Sequence, residues 1–131
     1  METTTPPTTI SKAALWTGRI MSAVPGLMLT FSGVMKLIHP PQLDEGLARL
    51  GWPVGLALTL GLLELACTAV YLVPRTAVLG AILLTGYMGG AMATHVRIGD
   101  AVYLHVVFGV LIWGGLYLRD PRLRALIPLT R

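Results

Sequence analysis

The chain alternates between long apolar runs and short breaks that contain proline or charged residues. Four apolar runs lie at about residues 13–38, 53–73, 76–95 and 101–118. At about 1.5 Å of rise per residue, a helix of about 20 residues is about 30 Å long, which matches the hydrocarbon core of a bilayer. The pattern therefore predicts four membrane-spanning helices.

The breaks between the runs predict how these helices are connected. Proline cannot continue a helix and disfavours helix in the residue before it, so His39-Pro40-Pro41 ends the first run. Residues 42–50 keep helical spacing of leucine and predict a short amphipathic helix in the membrane interface. Only Pro74-Arg75 separates the second and third runs, which therefore form an antiparallel hairpin. The predicted fold class is all-α: an antiparallel four-helix transmembrane bundle with a short interfacial helix between helices one and two.

Composition supports an integral membrane protein and excludes several other classes. The 131 residues form one domain by length, but 54% hydrophobic residues, 12% charged residues and a mean hydropathy of +0.72 do not fit a soluble domain. The net charge is +4, yet the basic residues flank apolar runs without forming a separate cluster, so we expect contact with the lipid bilayer and no nucleic acid partner. A single cysteine, Cys67, excludes an intrachain disulfide and a dithiol redox centre.

The distribution of basic residues predicts the orientation in the membrane. Four spans put both termini on one face, which carries seven of the ten lysines and arginines. The positive-inside rule then predicts a multi-pass protein of the plasma (inner) membrane with both termini in the cytoplasm. Residues 1–11 form a predicted disordered tail, residues 12–120 the membrane domain and residues 121–131 a basic C-terminal tail.

Glu64 is the most informative residue, because it is a lone carboxylate near the middle of the second span. A charge at this depth costs at least about 2.5 kcal/mol, so we expect it to have a partner. Helical side chains lean toward the helix N-terminus, which tilts Lys36 of the first span into the membrane and Glu64 outward. The sequence predicts a Lys36–Glu64 pair, although Lys36 could also snorkel to the interface and Glu64 could serve only helix packing.

Other polar residues are predicted to surround an outer opening above this pair. His95 and His105 end the third span and begin the fourth, so we expect both to line the opening, with Arg97 and Asp100 at its mouth. His39 and Tyr103 are secondary candidates at the same end. The two histidines lack the spacing of a helical ligand pair, so we expect ordinary hydrogen-bonding histidines and no metal site.

Small and polar residues form stripes that are predicted to face the bundle interior. The stripe on the second span is Ala57, Gly61, Glu64, Cys67, Thr68 and Tyr71, and that on the first is Ser22, Leu29, Ser32, Gly33 and Lys36. Gly86, Gly90 and Thr94 repeat every four residues on the third span, a pattern that permits close helix packing.

Several of these segments resemble the DoxX-like family of small four-helix membrane proteins. They are Ser32-Gly33-Val34-Met35-Lys36-Leu37, His39-Pro40, Leu60-Gly61-Leu62-Leu63-Glu64-Leu65, His95-Val96-Arg97-Ile98-Gly99-Asp100 and His105-Val106-Val107-Phe108-Gly109. The resemblance implies a four-helix membrane fold with a polar outer pocket, linked to quinone or to a redox complex. The family takes its name from subunits of a thiosulfate:quinone oxidoreductase, and its distant relatives include a receptor-assembly chaperone.

Three function classes follow from the residues and the resemblance. In a redox-complex subunit, the polar residues would hydrogen-bond a quinone, and a membrane oxidoreductase partner would carry the electrons. In a proton-linked carrier of small molecules, Glu64 would be the protonatable site, and a homodimer is expected because four helices are few for alternating access. In an assembly factor without chemistry, the small-residue faces would bind partner helices. The resemblance favours the first class, and whether the protein is an enzyme stays open.

Overall fold

The computed structural model describes residues 10–38, 40–53 and 55–127, and every regular element among them is helical. His39, one of the secondary site candidates, lies outside the described residues, as does most of the predicted N-terminal tail. Pro74–Thr76 forms a 3₁₀ turn between α3 and α4. The helices in chain order are α1 Lys12–Ile38, α2 Pro41–Arg49, α3 Leu56–Leu72, α4 Ala77–Arg97, α5 Tyr103–Arg119 and α6 Pro121–Leu126.

The predicted long helices and the short amphipathic helix are present as α1 to α5, with shifted ends. α3 begins at Leu56 instead of Pro53, after a turn in which Gly51 has a φ of 83°. α5 begins at Tyr103 instead of Ala101, and Gly99 before it has a φ of 80°. Both glycines adopt the left-handed conformation that glycine tolerates best. In each case a few non-helical residues follow the glycine before the next helix begins.

The basic C-terminal tail predicted for residues 121–131 begins instead with a helix, α6. Asp120 caps it by accepting a hydrogen bond from the Arg122 backbone N–H at 2.9 Å, and Pro121 occupies the first turn, where its missing N–H costs nothing. Leu123 is buried, and the Arg124 guanidinium donates to two carbonyls at the end of α5. These contacts fold the start of the tail back onto α5.

The four longest helices are neighbours in a closed ring. α1 packs against α3 and α5, and α4 packs against the same two helices from the other side. Tyr71 of α3 is fully buried at the centre, where its hydroxyl donates to the Ile112 carbonyl at 2.9 Å and lies 2.8 Å from Ser22 Oγ. One side chain therefore ties α3 to both α5 and α1.

The interior stripe predicted on α3 is confirmed. Its six residues are the buried residues of that helix, and Ser22, Leu29 and Gly33 of the α1 stripe are buried too. The stripe predicted on the third span is not used for packing. A Cβ added at Gly86 or Gly90 would meet no atom within 4 Å. The buried residues of α4 are instead Ala77, Gly80, Ala81, Leu84 and Met88.

Gly80 explains why the α4 stripe is displaced. A Cβ at this position would overlap the backbone of Tyr71, so α3 and α4 approach most closely near the hairpin turn. Farther along, no side chain of α3 reaches Gly86 or Gly90. The close contact between α3 and α4 therefore lies at Gly80, more than one helical turn away from Gly86 and Gly90, for which the sequence spacing predicted it.

Two segments, α1 and Pro74–Arg97, are long and apolar enough to cross a membrane. α3 and α5 are also apolar but contain 17 residues each. Large apolar side chains outside the interior are exposed, including Ile38 with 65% and Val110 with 61% of their surface. Such an exterior fits a lipid environment, where outward apolar groups carry no cost.

We expect Gly80→Ala to destabilise the protein by about 1–3 kcal/mol, because the new methyl group would force α3 and α4 apart. The measurement is thermal unfolding in mild detergent. Gly89→Ala is the control, since it makes the same change on the same helix with no atom within 4 Å. Equal stability of the two variants would contradict the close contact.

We expect Asp120→Ala to loosen α6 alone, because a lost cap costs about 1 kcal/mol. The Arg122 guanidinium donates to the Asp120 carboxylate and holds its pKa below the ordinary value. The cap is therefore intact at neutral pH and is lost only as the pH falls below the ordinary carboxyl range. Amide exchange of residues 122–126 should quicken several-fold, while that of α1 to α5 stays unchanged. Glu45→Ala, at an exposed acidic residue of α2, is the control.

Candidate functional site: a buried ion pair at the base of an apolar cavity

Lys36 and Glu64 form the ion pair that the sequence predicts. α1 and α3 cross closely at Gly33 and Gly61, where a Cβ on Gly61 would lie 2.9 Å from both the Gly33 carbonyl oxygen and Lys36 Cβ. This crossing brings Lys36 beside the next turn of α3. Its Nζ donates to Glu64 Oε2 at 2.6 Å, so the prediction of a pair is confirmed.

Both charged groups are held by further hydrogen bonds. Lys36 Nζ also donates to Ser32 Oγ at 2.7 Å, and the Tyr87 hydroxyl donates to Glu64 Oε2 at 3.0 Å. The Glu64 side chain is 2% exposed and that of Lys36 is 14% exposed. A buried charge needs such partners, because its lost hydration is otherwise uncompensated.

Tyr87 is the site residue that sequence reasoning missed. It lies on α4, which follows α3 as an antiparallel hairpin. Glu64 precedes Pro74 by ten residues, and Tyr87 follows Thr76 by eleven, so counting from the turn places the two at the same depth. That count, combined with the need of a buried carboxylate for several donors, was the signal that could have identified it.

The ion pair lies at the base of a cavity of about 850 Å³. Helices α1, α3, α4 and α5 form its walls, and Leu47 and Leu50 of α2 contribute to its lining together with Trp52. Most of the lining is apolar. The polar side chains in it are Ser32, Lys36, Glu64, Tyr87, Thr94, His95 and His105.

His95 and His105 line this cavity together, as the sequence predicts. Their ring centroids are 4.8 Å apart with the planes tilted by 50°. His95 Nδ1 lies 2.7 Å from the Ala91 carbonyl, which can only accept, so this nitrogen carries a hydrogen and Nε2 of the neutral ring is an acceptor. His105 Nδ1 is buried and has no hydrogen-bond partner within the described part of the chain. Within those same residues, no group of three or more His, Cys, Asp and Glu side chains could hold a metal ion.

The remaining candidates lie around the cavity without lining it. Asp100 accepts two hydrogen bonds from the Arg49 guanidinium, at 2.7 and 2.9 Å. The Arg97 guanidinium donates to the Leu50 carbonyl. Both contacts attach α2 and the turn after it to the end of α4 and the loop that follows. Tyr103 is 73% exposed and is not part of the cavity lining.

We expect Lys36→Met to lower the free energy of unfolding by about 3 kcal/mol, because it leaves the Glu64 carboxylate buried without its cation. Adding Glu64→Gln should recover most of the loss, since the amide carries no charge. Denaturant unfolding in mild detergent measures both changes.

Lys12→Met, at an exposed lysine of the same helix, is the control for the loss of a positive charge. A double variant as unstable as Lys36→Met alone would contradict the coupling of the two side chains.

Comparison with known proteins gives one result for this chain. The DoxX-like family profile matches residues 20–115, which include the ion pair, both histidines and Tyr87. No curated protein and no solved structure gave a significant match. Because the matched region covers most of the sequence, the chain belongs to the DoxX-like family, as its motifs predict.

Proposed function

We propose that this chain is a multi-pass protein of the plasma membrane and that α1, α3, α4 and α5 each cross the bilayer. The 17 residues of α3 and α5 span about 25 Å by helical rise, which is at the short end of the range for transmembrane helices. The ring of four helices gives each one two neighbours and leaves its outer face to lipid. Residues 12–120 would then form the membrane domain.

The orientation in this proposal has both termini in the cytoplasm. Among the described residues, six lysines and arginines lie at the end of the molecule that holds the start of α1, α6 and the α3–α4 turn, and three lie at the opposite end. The positive-inside rule assigns the richer end to the cytoplasm. The cavity, the histidines and α2 would therefore face the outer side.

The cavity in this proposal binds a quinone. The observation that carries it is the placement of a buried Lys36–Glu64–Tyr87 cluster at the base of an apolar cavity of about 850 Å³. An apolar pocket with a few convergent polar groups suits a lipophilic ligand with a polar head. Lys36 and Tyr87 are donors for quinone carbonyl oxygens, and Glu64 is a proton acceptor within reach.

A redox-complex subunit is the role that fits such a site best. No side chain of this chain carries electrons by itself, so a membrane oxidoreductase partner would reduce or oxidise the quinone. The chain would supply hydrogen bonds, a proton-exchanging carboxylate and shelter from water. Its own residues hold and orient the ligand head.

Trp52 provides a direct test, because it lines the cavity. In the variant Trp16→Phe, Trp113→Phe it is the sole tryptophan of the chain. We expect decylubiquinone to quench Trp52 fluorescence saturably in mild detergent. Tyr87→Phe should weaken this binding by up to about tenfold, since it removes one donor to a quinone carbonyl and a hydrogen bond contributes about 0.5–1.5 kcal/mol.

Tyr103→Phe is the matched control, because it makes the same chemical change at an exposed residue of α5 outside the cavity. Quenching that does not saturate, or equal binding by the two variants, would contradict a quinone site at the Lys36–Glu64–Tyr87 cluster. Mass spectrometry of the detergent-purified protein then identifies any copurifying oxidoreductase. Proton-coupled uptake of a small molecule into liposomes, without quinone binding, would favour the alternative function of a proton-linked carrier.

A further inference from the structure

The glycines of α4 that make no helix contact border the cavity. Gly86 and Gly90 line it, and on the neighbouring helix Leu60 and Leu63 line it too. Gly86, Gly90 and Leu63 are also exposed, Leu63 at 49%, and a Cβ added at either glycine would meet no atom within 4 Å. Met28 of α1 and Leu104 of α5 line the cavity and are exposed too, but both carry large side chains. Between α3 and α4 the two glycines therefore leave the cavity lining without such obstruction.

The end of the cavity at α2 is built differently. Leu47 is buried there, and Leu50 and Trp52 complete the apolar cover. The Arg49–Asp100 pair and the hydrogen bond from Arg97 to the Leu50 carbonyl hold this cover on the end of α4 and the loop that follows. A smaller pocket of about 350 Å³ beside the cover reaches Lys36 and His95, and its polar lining by Gln42, Arg49 and Asp100 suits water more than an apolar chain.

The chemistry of the lining restricts what can enter. The charges of Lys36 and Glu64 cancel each other, and the other polar side chains in the lining are hydroxyls and imidazoles. A charged head would lose its hydration without gaining a counter-ion. The imidazoles of His95 and His105, which line the cavity, can hydrogen-bond a neutral head group.

We propose that the cavity takes a neutral amphiphile already dissolved in the bilayer, and that this molecule enters between α3 and α4 across Gly86 and Gly90. This inference rests on the proposed function only in that the cavity binds a ligand. The absence of side chains on the two glycines leaves room for an apolar chain to pass.

Cysteine reactivity in lipid vesicles tests the route. Cys67→Ala removes the native thiol, and Ala91→Cys places a reporter inside the cavity, with Ala48→Cys on exposed α2 as its counterpart. The probes are N-(1-pyrenyl)maleimide, which dissolves in the bilayer, and a trimethylammonium methanethiosulfonate, which stays in water. We expect the pyrene reagent to label Ala91→Cys and the charged reagent to label only Ala48→Cys.

Side chains added at the opening should slow the lipid-soluble reagent. Gly86→Leu with Gly90→Leu should reduce pyrene labelling of Ala91→Cys about tenfold, a barrier increase of the size that one bulky obstruction produces. Gly89→Leu is the matched control, because this exposed glycine of α4 does not line the cavity. None of the three glycines has an atom within 4 Å of an added Cβ, so folding should be preserved, and thermal unfolding verifies this.

Two results would overturn the route. One is equal labelling of Ala91→Cys and Ala48→Cys by the charged reagent. The other is unchanged pyrene labelling in the double leucine variant, with faster labelling in Asp100→Asn, which frees α2. Slow pyrene labelling of Ala91→Cys together with normal decylubiquinone binding would contradict the entry route between α3 and α4 but not the proposed quinone site. Labelling that follows the glycine pattern without quinone binding would contradict the quinone and support the route.

Discussion

The structure depends on keeping two opposite charges together in an apolar interior. Separating Lys36 from Glu64 would leave each in a medium that hydrates it poorly, so the helices that carry them are held in one relative position. Gly33 and Gly61 permit that position, because only residues without a side chain allow α1 and α3 to cross so closely. The ion pair thus fixes the crossing, and the glycines make it sterically possible.

The two ends of the helix ring are built for different purposes. At the end of the molecule that we propose to lie toward the cytoplasm, Tyr71 forms hydrogen bonds to α1 and α5, and Gly80 allows α4 to pack against α3. This end is closely packed. Toward the opposite end the helices separate around the cavity, and the bonds from Lys36 and Tyr87 to Glu64 join them at its base. A rigid closed half can hold an open half in shape, which is what a preformed ligand site requires.

The candidate site joins three helices through one carboxylate oxygen. Lys36 approaches it from α1 and Tyr87 from α4, while Glu64 itself belongs to α3. A ligand that competes for one of these donors changes how the charge of Glu64 is balanced. Two of these helices, α3 and α4, also border the cavity at Gly86 and Gly90.

Single-residue chemistry and helical spacing were enough to predict the helices, the buried stripe of α3 and the Lys36–Glu64 pair. Each of these follows from the cost of placing polar groups among apolar ones, which a sequence pattern records directly. The order of the motifs along the chain likewise predicted the family. The helical start of the C-terminal segment was missed, because α6 is too short for a periodic signal and its burial depends on one leucine.

Contacts between distant segments were decided only by the tertiary structure. Gly86 and Gly90 carry the spacing of a packing motif, but the hairpin brings α3 closest at Gly80, and the two glycines border a cavity instead. Asp100 bonds to Arg49 of α2 in place of the helix that follows it. Spacing along one helix specifies which residues share a face, whereas the partner of that face depends on where two helices are closest. The sequence determined the helices and the need to neutralise Glu64, and packing in three dimensions decided that Tyr87 and an apolar cavity would complete the site.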